Sequence, residues 1–309
     1  MTVPDVRTVK VLAPGKVNAG LAVGGPGADG YHDLETLFVS VSCYDEITIA
    51  PAARLQVTVS GASAGEVPAD GTNLAARAAV LLGDRCGITP SVHIHINKRI
   101  PVCGGMAGGS ADAAAVLVAC DALWGTGLEY SELDALAAAL GADVPFCLHG
   151  GAAIGRGRGG MLEPVTAGRP FHWVFAIAHD GLSTPAMFKA LDERRERRGS
   201  ALLAPPALPD ALLHAFTAGE PRRLAQERVN DFEPIAFELR PSLLETRRIG
   251  LEAGALAGLL AGTGATYAFL ADSAEDARVV AEKLSASETC AAVRVAQGPV
   301  PRPEVVIAG

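Results

Sequence analysis

The segment Pro101-Val102-Cys103-Gly104-Gly105-Met106-Ala107-Gly108-Gly109-Ser110-Ala111-Asp112-Ala113-Ala114 carries the densest chemical information in the 309-residue chain. Four glycines fall within six positions, at 104, 105, 108 and 109. They remove the side chains that would stop a ligand from approaching the backbone. The segment lies between an alternating, strand-like stretch and a small-residue, helix-like one. Amide N–H groups of such a loop can converge on an anion, and the helix opening at Ser110 adds its N-terminal dipole. The chemistry this predicts is the cradling of a polyphosphate. No Gly-Lys-Ser/Thr follows, so the loop is not a Walker A loop. The spacing also differs from the G-x-G-x-x-G turn of dinucleotide-binding folds.

Two further segments offer charges. Ala13-Pro14-Gly15-Lys16-Val17-Asn18 sets a lysine and an amide in a bend after a short apolar stretch. Gly141-Ala142-Asp143-Val144-Pro145-Phe146 sets a carboxylate among apolar neighbours. Pro145 disfavours helix at the residue before it, which puts Asp143 near a helix end. A carboxylate in apolar company needs a partner or a ligand. Taken singly, Lys16 reads as a surface lysine and Asp143 as a turn residue; spacing alone does not bring them together.

The elements that must position these groups read as α+β. Val9–Leu12 and Leu21–Val23 look like strands interrupted at Pro14-Gly15. Ile47–Ile49 and Leu55–Val59 also look like strands, as does Val92–Ile96, whose alternation puts three apolar residues on one face. His93 and His95 then share the other face, which reads as solvated rather than metal-binding. Asn73–Leu82, Val116–Trp124 and Leu133–Leu140 have helical spacing. Gly150–Gly160 reads as a turn region. Phe171–Ala178 reads as a buried strand opening a second half, so the chain divides near residue 160, into 1–160 and 161–309. Ala186–Asp192 looks helical and runs into Glu193–Arg198, a charge run that reads as a solvated helix face or loop. Ala204–Pro209 reads as a proline-rich loop. Leu243–Leu260, Ala274–Leu284 and Ala291–Ala296 suggest helix, helix and strand.

Bulk composition sets limits. Apolar residues make up 49% and charged residues 19%, enough for a packed core. With 26 Lys and Arg against 34 Asp and Glu, the net charge is −8. That balance lacks the basic footprint of a nucleic-acid binder. No stretch reads as a membrane span, since the Gly250–Gly264 region contains Glu252 and many small residues. Six cysteines without C-x-x-C pairs read as reduced thiols in a cytoplasmic protein.

Three motifs, in order, resemble the GHMP kinase superfamily, which includes galactokinase, homoserine kinase and mevalonate kinase. They are Pro14-Gly15-Lys16-Val17-Asn18, the glycine loop ending Gly108-Gly109-Ser110, and Gly262-Thr263-Gly264-Ala265 before Tyr267–Leu270. The resemblance implies a two-lobed fold with its active site in the inter-lobe cleft. It also implies ATP as phosphoryl donor, with Mg²⁺. Within the superfamily, four segments resemble the branch whose acceptor is a cytidine diphosphate-linked methylerythritol. These are Ala28–Leu34 with Thr36–Phe38, the glycine loop, Gly141–Phe146 and Asn230–Glu233. The implied activity is transfer of the ATP γ-phosphate to the acceptor's 2-hydroxyl, in the non-mevalonate route to isoprenoid precursors. The implied partner is that small molecule, with neither nucleic acid nor membrane; the oligomeric state is left open.

Carried over by motif, Asp143 is the implied catalytic base and Lys16 its partner. Asn73, Leu74, Lys98, Pro101, Gly104, Gly105, Met106, Ala107, Gly108, Gly109, Ser110 and Ala111 fall to the nucleotide. Asn18, Tyr31, His32, Thr184, Phe188, Gly262, Thr263 and Gly264 fall to the acceptor. Cys103 and Met106 depart from the family's usual loop residues. No acidic magnesium ligand is identified, so the metal is expected on ATP oxygens, water and Ser110, with no protein metal site of its own.

Overall fold

A computed structural model describes residues 8–102, 104–199 and 206–308. Cys103 and the first two residues of the Ala204–Pro209 stretch lie outside the described residues; 206–209 carry no helix or strand, as a loop would.

The first lobe is built on two long strands, β1 (Val9–Pro26) and β2 (His32–Pro51), paired antiparallel along almost their whole length. The helices α1 (Leu74–Cys86), α2 (Gly108–Trp124), α3 (Tyr130–Leu140) and α4 (Val144–His149) belong to this lobe. Strand β3 (Gln56–Gly61) runs parallel to β4 (Val92–Lys98), and β4 pairs with the C-terminal half of β2. Strand β5 (Ala152–Gly157) pairs with the N-terminal half of β2 and with β6 (Met161–Pro164). The second lobe is a four-stranded antiparallel sheet in the order β10 (Ala292–Gly298), β7 (Phe171–Ile177), β9 (Tyr267–Ala271), β8 (Ala257–Leu260). Its helices are α5 (Thr184–Arg197), α6 (Asp210–Ala218), α7 (Pro221–Gln226), α8 (Glu233–Leu239), α9 (Ser242–Glu252) and α10 (Ala274–Ser285). The last strand, β11 (Val305–Ala308), returns to the first lobe and pairs with β1.

Burial follows the period-2 and period-3.6 patterns. In β4, Val92, Ile94 and Ile96 are buried while His93 and His95 face outward and bond to Thr58 and Ser60. That is the polar strand face the alternation predicts. Helix α2 is buried nearly all round by small residues, Ala111, Ala113, Ala114 and Ala115 among them, which lets it sit close on β1.

The structure corrects several expectations. Val9–Leu12 and Leu21–Val23 belong to one 18-residue strand. Pro14 lacks an N–H to give to the ladder, and β1 absorbs it as a register shift between Pro14 and Gly15. Gly150–Gly160 contains β5 rather than turn alone. Its glycine at 155 answers to packing: a Cβ there would lie 2.6 Å from the Phe38 ring. The region Leu243–Leu260 is helix only to Glu252, and its last four residues form β8. Gly258 has no room for a side chain beside the Tyr267 ring, whose strand β8 pairs with. Within Glu193–Arg198, Arg195 is not solvated. It donates to the carbonyls of Gly24 (2.8 Å) and Val23 (2.7 Å), where β1 and β2 lose register before Pro26.

Candidate active site

The glycine loop reaches α2 through Ala107, which sits at φ 57° in the left-handed region although it carries a Cβ. This conformation turns the chain sharply into the helix, which opens at Gly108, two residues before Ser110. Ala107 has no side chain able to cap, so the amides of Gly108, Gly109 and Ser110 have no intrahelical acceptor. They border a cavity of about 600 Å³ that Asn73, Leu74, Lys98, Pro101, Gly104, Gly105 and Ala107 also line. Asn73 caps α1, accepting from the Ala75 amide at 2.8 Å.

Two of the expected loop residues face elsewhere. Met106 and Ala111 are buried in the core and line neither this cavity nor its neighbour. Met106 contributes its carbonyl, which accepts the Lys16 amide at 3.1 Å and ties the loop to β1. Lys98 lines the cavity, but its ammonium is spent. It donates to Asp45 and, at 2.8 Å, to Asp112. All three side chains are 3% exposed or less. Burial pulls the Lys98 ammonium down, but Asp112 and Asp45 outweigh it and leave it raised. Burial lifts Asp112 well above the usual carboxylate range, against the pull of Lys98. Asp112 Oδ1 has no hydrogen-bond partner.

A second cavity, of about 900 Å³, adjoins the first, and Lys16, Asp143, Ser110, Thr184 and Thr263 line both. Lys16 projects from the middle of β1 and is 5% exposed. Its ammonium donates to Asn18 Oδ1 at 2.6 Å and lies 5.4 Å from the centre of the Phe38 ring. Asn18 in turn donates to the Thr36 hydroxyl (2.7 Å), which donates to the Gly20 carbonyl (2.7 Å). This chain of donors fixes the lysine's direction. Asp143 closes the turn before α4 and gives its backbone carbonyl to the Cys147 amide, while its side chain makes no cap bond. Pro145 thus sits in a first helical turn, where its missing N–H costs nothing. The Asp143 carboxylate stands 3.7 Å from the Lys16 ammonium, an ion pair beyond hydrogen-bond reach, with 36% of its side chain exposed.

Across the cleft, the loop Gly262–Gly264 packs against the phosphate-type loop. A Cβ on Gly262 would meet the Gly105 carbonyl at 2.9 Å, Asn18 Oδ1 at 3.2 Å and Lys16 Nζ at 3.3 Å. Asn230 braces this loop by donating to the Leu260 and Gly262 carbonyls at 3.2 and 3.0 Å. Thr184 and Thr263 join their hydroxyls at 2.8 Å. Gly264 lines neither cavity; its amide lies beside Gly105.

The far end of the larger cavity is aromatic. His32 donates to Asp192 at 2.8 Å, and its ring lies 4.8 Å from that of Phe188. Tyr31 stands at the rim, 57% exposed, with the Arg158 guanidinium 3.6 Å above its ring. Arg158 is held by Asp29 at 2.7 Å, and the Tyr31 amide, then Arg158, hold the Asp29 carboxyl below its ordinary range. Sequence reading missed Phe38, Asp112, Arg158 and Asp192. Asp192 had a signal: Thr184, Phe188 and Asp192 recur every fourth residue and so share one face of α5. Arg158 had none, because its place depends on the pairing of β5 with β2.

Two lobes facing each other across a glycine-lined cleft, with a buried lysine and a carboxylate at its centre, define a class of small-molecule kinase. The family model "GHMP kinases N terminal domain" matches residues 73–151, and "GHMP kinases C terminal" matches residues 212–288. Members of the class use ATP, generally with Mg²⁺. The 4-diphosphocytidyl-2-C-methyl-D-erythritol kinase of Streptomyces coelicolor is 53% identical over 94% of this chain and 97% of its own. That of Streptomyces avermitilis is 50% identical over 95% and 98%. A crystal structure of 4-(cytidine 5'-diphospho)-2C-methyl-D-erythritol kinase superposes with a TM-score of 0.78 at 34% identity, covering 94% of this chain and 99% of that one. The chain belongs to the 4-diphosphocytidyl-2-C-methyl-D-erythritol kinase family.

Proposed function

We propose that this enzyme transfers the γ-phosphate of ATP to the 2-hydroxyl of 4-diphosphocytidyl-2-C-methyl-D-erythritol. One observation carries the reading: two cavities, one lined by backbone amides and one by aromatic rings, meet at Lys16, Asp143 and Ser110. Donor and acceptor need such a junction, because phosphoryl transfer asks mainly for alignment and charge stabilisation.

The amides of Gly108, Gly109 and Ser110 hold the phosphates of ATP, and Asn73, Leu74 and Pro101 border the rest of the nucleotide. Asp143 accepts the proton of the attacking hydroxyl. Lys16, aimed by Asn18, orients that hydroxyl and offsets charge developing on the transferred group. Tyr31, Phe188 and His32 take the pyrimidine; aromatic faces stack on any base, and the edge of His32 reads its polar atoms. Thr184, Thr263 and Gly262 close over the acceptor's phosphates. Among the described residues no group of three His, Cys, Asp or Glu converges. A magnesium ion would be held by the phosphates and the Ser110 hydroxyl, which lines both cavities. It would supply neutralisation of phosphate charge. An ATP-consuming reaction and the free thiols of all five described cysteines favour a cytoplasmic setting. Among the described residues no helix is long and apolar enough to cross a membrane.

The test is a panel of acceptors with Mg-ATP: 4-diphosphocytidyl-2-C-methyl-D-erythritol, mevalonate, phosphomevalonate and homoserine. Turnover of the cytidine compound alone is expected. Turnover of another acceptor in preference to it discards the substrate while keeping the class.

A further inference from the structure

A third cavity, of about 450 Å³, lies away from Lys16 and Asp143, where the two lobes meet. The first lobe supplies Ser42 and Tyr44 from β2, Asn97 from β4, and Arg99; the second supplies Arg294 from β10. The lobes are stitched beside it by the Gln297 amide, which donates to the Ser42 hydroxyl at 2.9 Å.

Among the described residues, its wall holds Lys98, Arg99 and Arg294 and no carboxylate. The chain carries a net −8, and Arg156, Arg158, Arg195, Arg222, Arg240, Arg248 and Arg278 all have carboxylate partners. Neither Arg99 nor Arg294 has one within 4.0 Å among the described residues. The Arg294 guanidinium has one bond, to the Val293 carbonyl at 3.0 Å. The acidic groups that follow Tyr44 on β2 are already consumed. Asp45 is fully buried and accepts from Lys98 and from the Arg99 and Ile100 amides at 2.5 and 2.9 Å. Glu46 is taken by Lys10 at 2.9 Å. Burial, then Asp45, push the Cys43 thiol up to about 11, while Arg294, Lys98 and Arg99 all act against them from around this wall. Two arginines from different lobes, lining one cavity with the hydroxyls of Ser42 and Tyr44 and the amide of Asn97, match the donor types that bind phosphate oxygens.

We propose that Arg99 and Arg294 bind a phosphate-class oxyanion in this cavity, bridging the two lobes at a site separate from the catalytic cleft. Lys98 lines this cavity and the nucleotide-side cavity alike, so the two share a wall.

The test is calorimetric titration of the full chain with inorganic pyrophosphate in metal-free buffer, repeated with orthophosphate. The phosphate loop is first filled with saturating β,γ-imido-ATP. One pyrophosphate per chain is expected to bind with the analogue present. Arg99→Gln and Arg294→Gln should each weaken it about tenfold or more, and Arg294→Lys by only a few-fold. Orthophosphate should bind more weakly at the same site, since it offers fewer oxygens. Turnover without added pyrophosphate should be unchanged in these variants, showing that the cleft is intact. The idea is overturned if the analogue abolishes the binding, if the double glutamine variant binds as well as the parent, or if chloride at equal ionic strength competes fully.

Discussion

Lys16 and Lys98 are both buried lysines beside carboxylates, and they are paired in opposite ways. Lys98 is enclosed with two carboxylates at hydrogen-bond distance, and one of these, Asp45, also holds two backbone amides. Nothing of its charge is left for a ligand. Lys16 is nearly as buried, yet its carboxylate stands 3.7 Å off and faces open space shared by two cavities. A neutralised ion cluster fastens β4, the loop and α2 together; an incompletely neutralised pair keeps field to spend on a reacting group. In the proposed mechanism it is the distance to the counter-ion, more than burial, that separates the structural lysine from the reactive one.

The comparison breaks most visibly at Asp143. Asp143→Asn should cut turnover about 10²- to 10⁴-fold, with unfolding free energy changed by less than about 0.5 kcal/mol because the side chain is about a third exposed and makes no hydrogen-bonded cap. A loss under tenfold with normal substrate binding would leave Asp143 an orienting group. Lys98→Met should do the reverse. It strands two buried carboxylates and should cost about 3–5 kcal/mol by urea denaturation. A stable Lys98→Met enzyme lacking activity would put both lysines in one category.

A smaller effect probes the Lys16 side alone. Gly262→Ala pushes on the Gly105 carbonyl, Asn18 and Lys16 together. It should lower kcat by about tenfold through misplacement of Lys16, with the unfolding midpoint little changed. An unaffected kcat would mean the lysine's direction is set by Asn18 and Thr36 only.

The smallest effect is a pH slope on the Lys98 side. Asp112 has its folded pKa above its unfolded one, so its proton favours the folded state. That contribution is fully present below the ordinary carboxylate range near 3.8 and is lost as pH rises through the raised folded value. Relative to Asp112→Asn, the parent should therefore lose stability as pH rises across this window, measured by urea midpoints. Parallel curves would mean that Asp112 is ionised throughout and fully paired by Lys98.

Much of the catalytic half was legible because its signals are local. Glycine clustering announced the loop at 104–110, alternation announced β4, and order along the chain tied Lys16, Ser110 and Gly262 into one kinase pattern. What escaped depends on contacts made far away in sequence. β5 hid behind glycines that read as turns, although Gly155 answers to the ring of Phe38. β8 hid in an Ala-Leu run that favours helix until the strand at Tyr267 offers it a partner. Lys98 was assigned to the nucleotide by resemblance and does line that cavity, but nothing local shows that Asp45, 53 residues away, holds its ammonium. Arg195 read as a solvated charge because carbonyls freed at the end of β1 leave no mark in the sequence of α5.

Strand β11 has a consequence for how the chain is made. Residues 305–308 complete the edge of a sheet whose first strand begins at Val9, so β1 meets one neighbour early and the other last. During synthesis from the N-terminus, the outer edge of β1 stays bare while the entire second lobe is being made. A bare edge invites pairing with other chains, so a ribosome-bound chain stalled before residue 305 is the form most exposed to that hazard. Pairing of residues 305–308 with β1 is then the event that seals this edge of the first lobe, joining a segment from beyond the second lobe to the first strand.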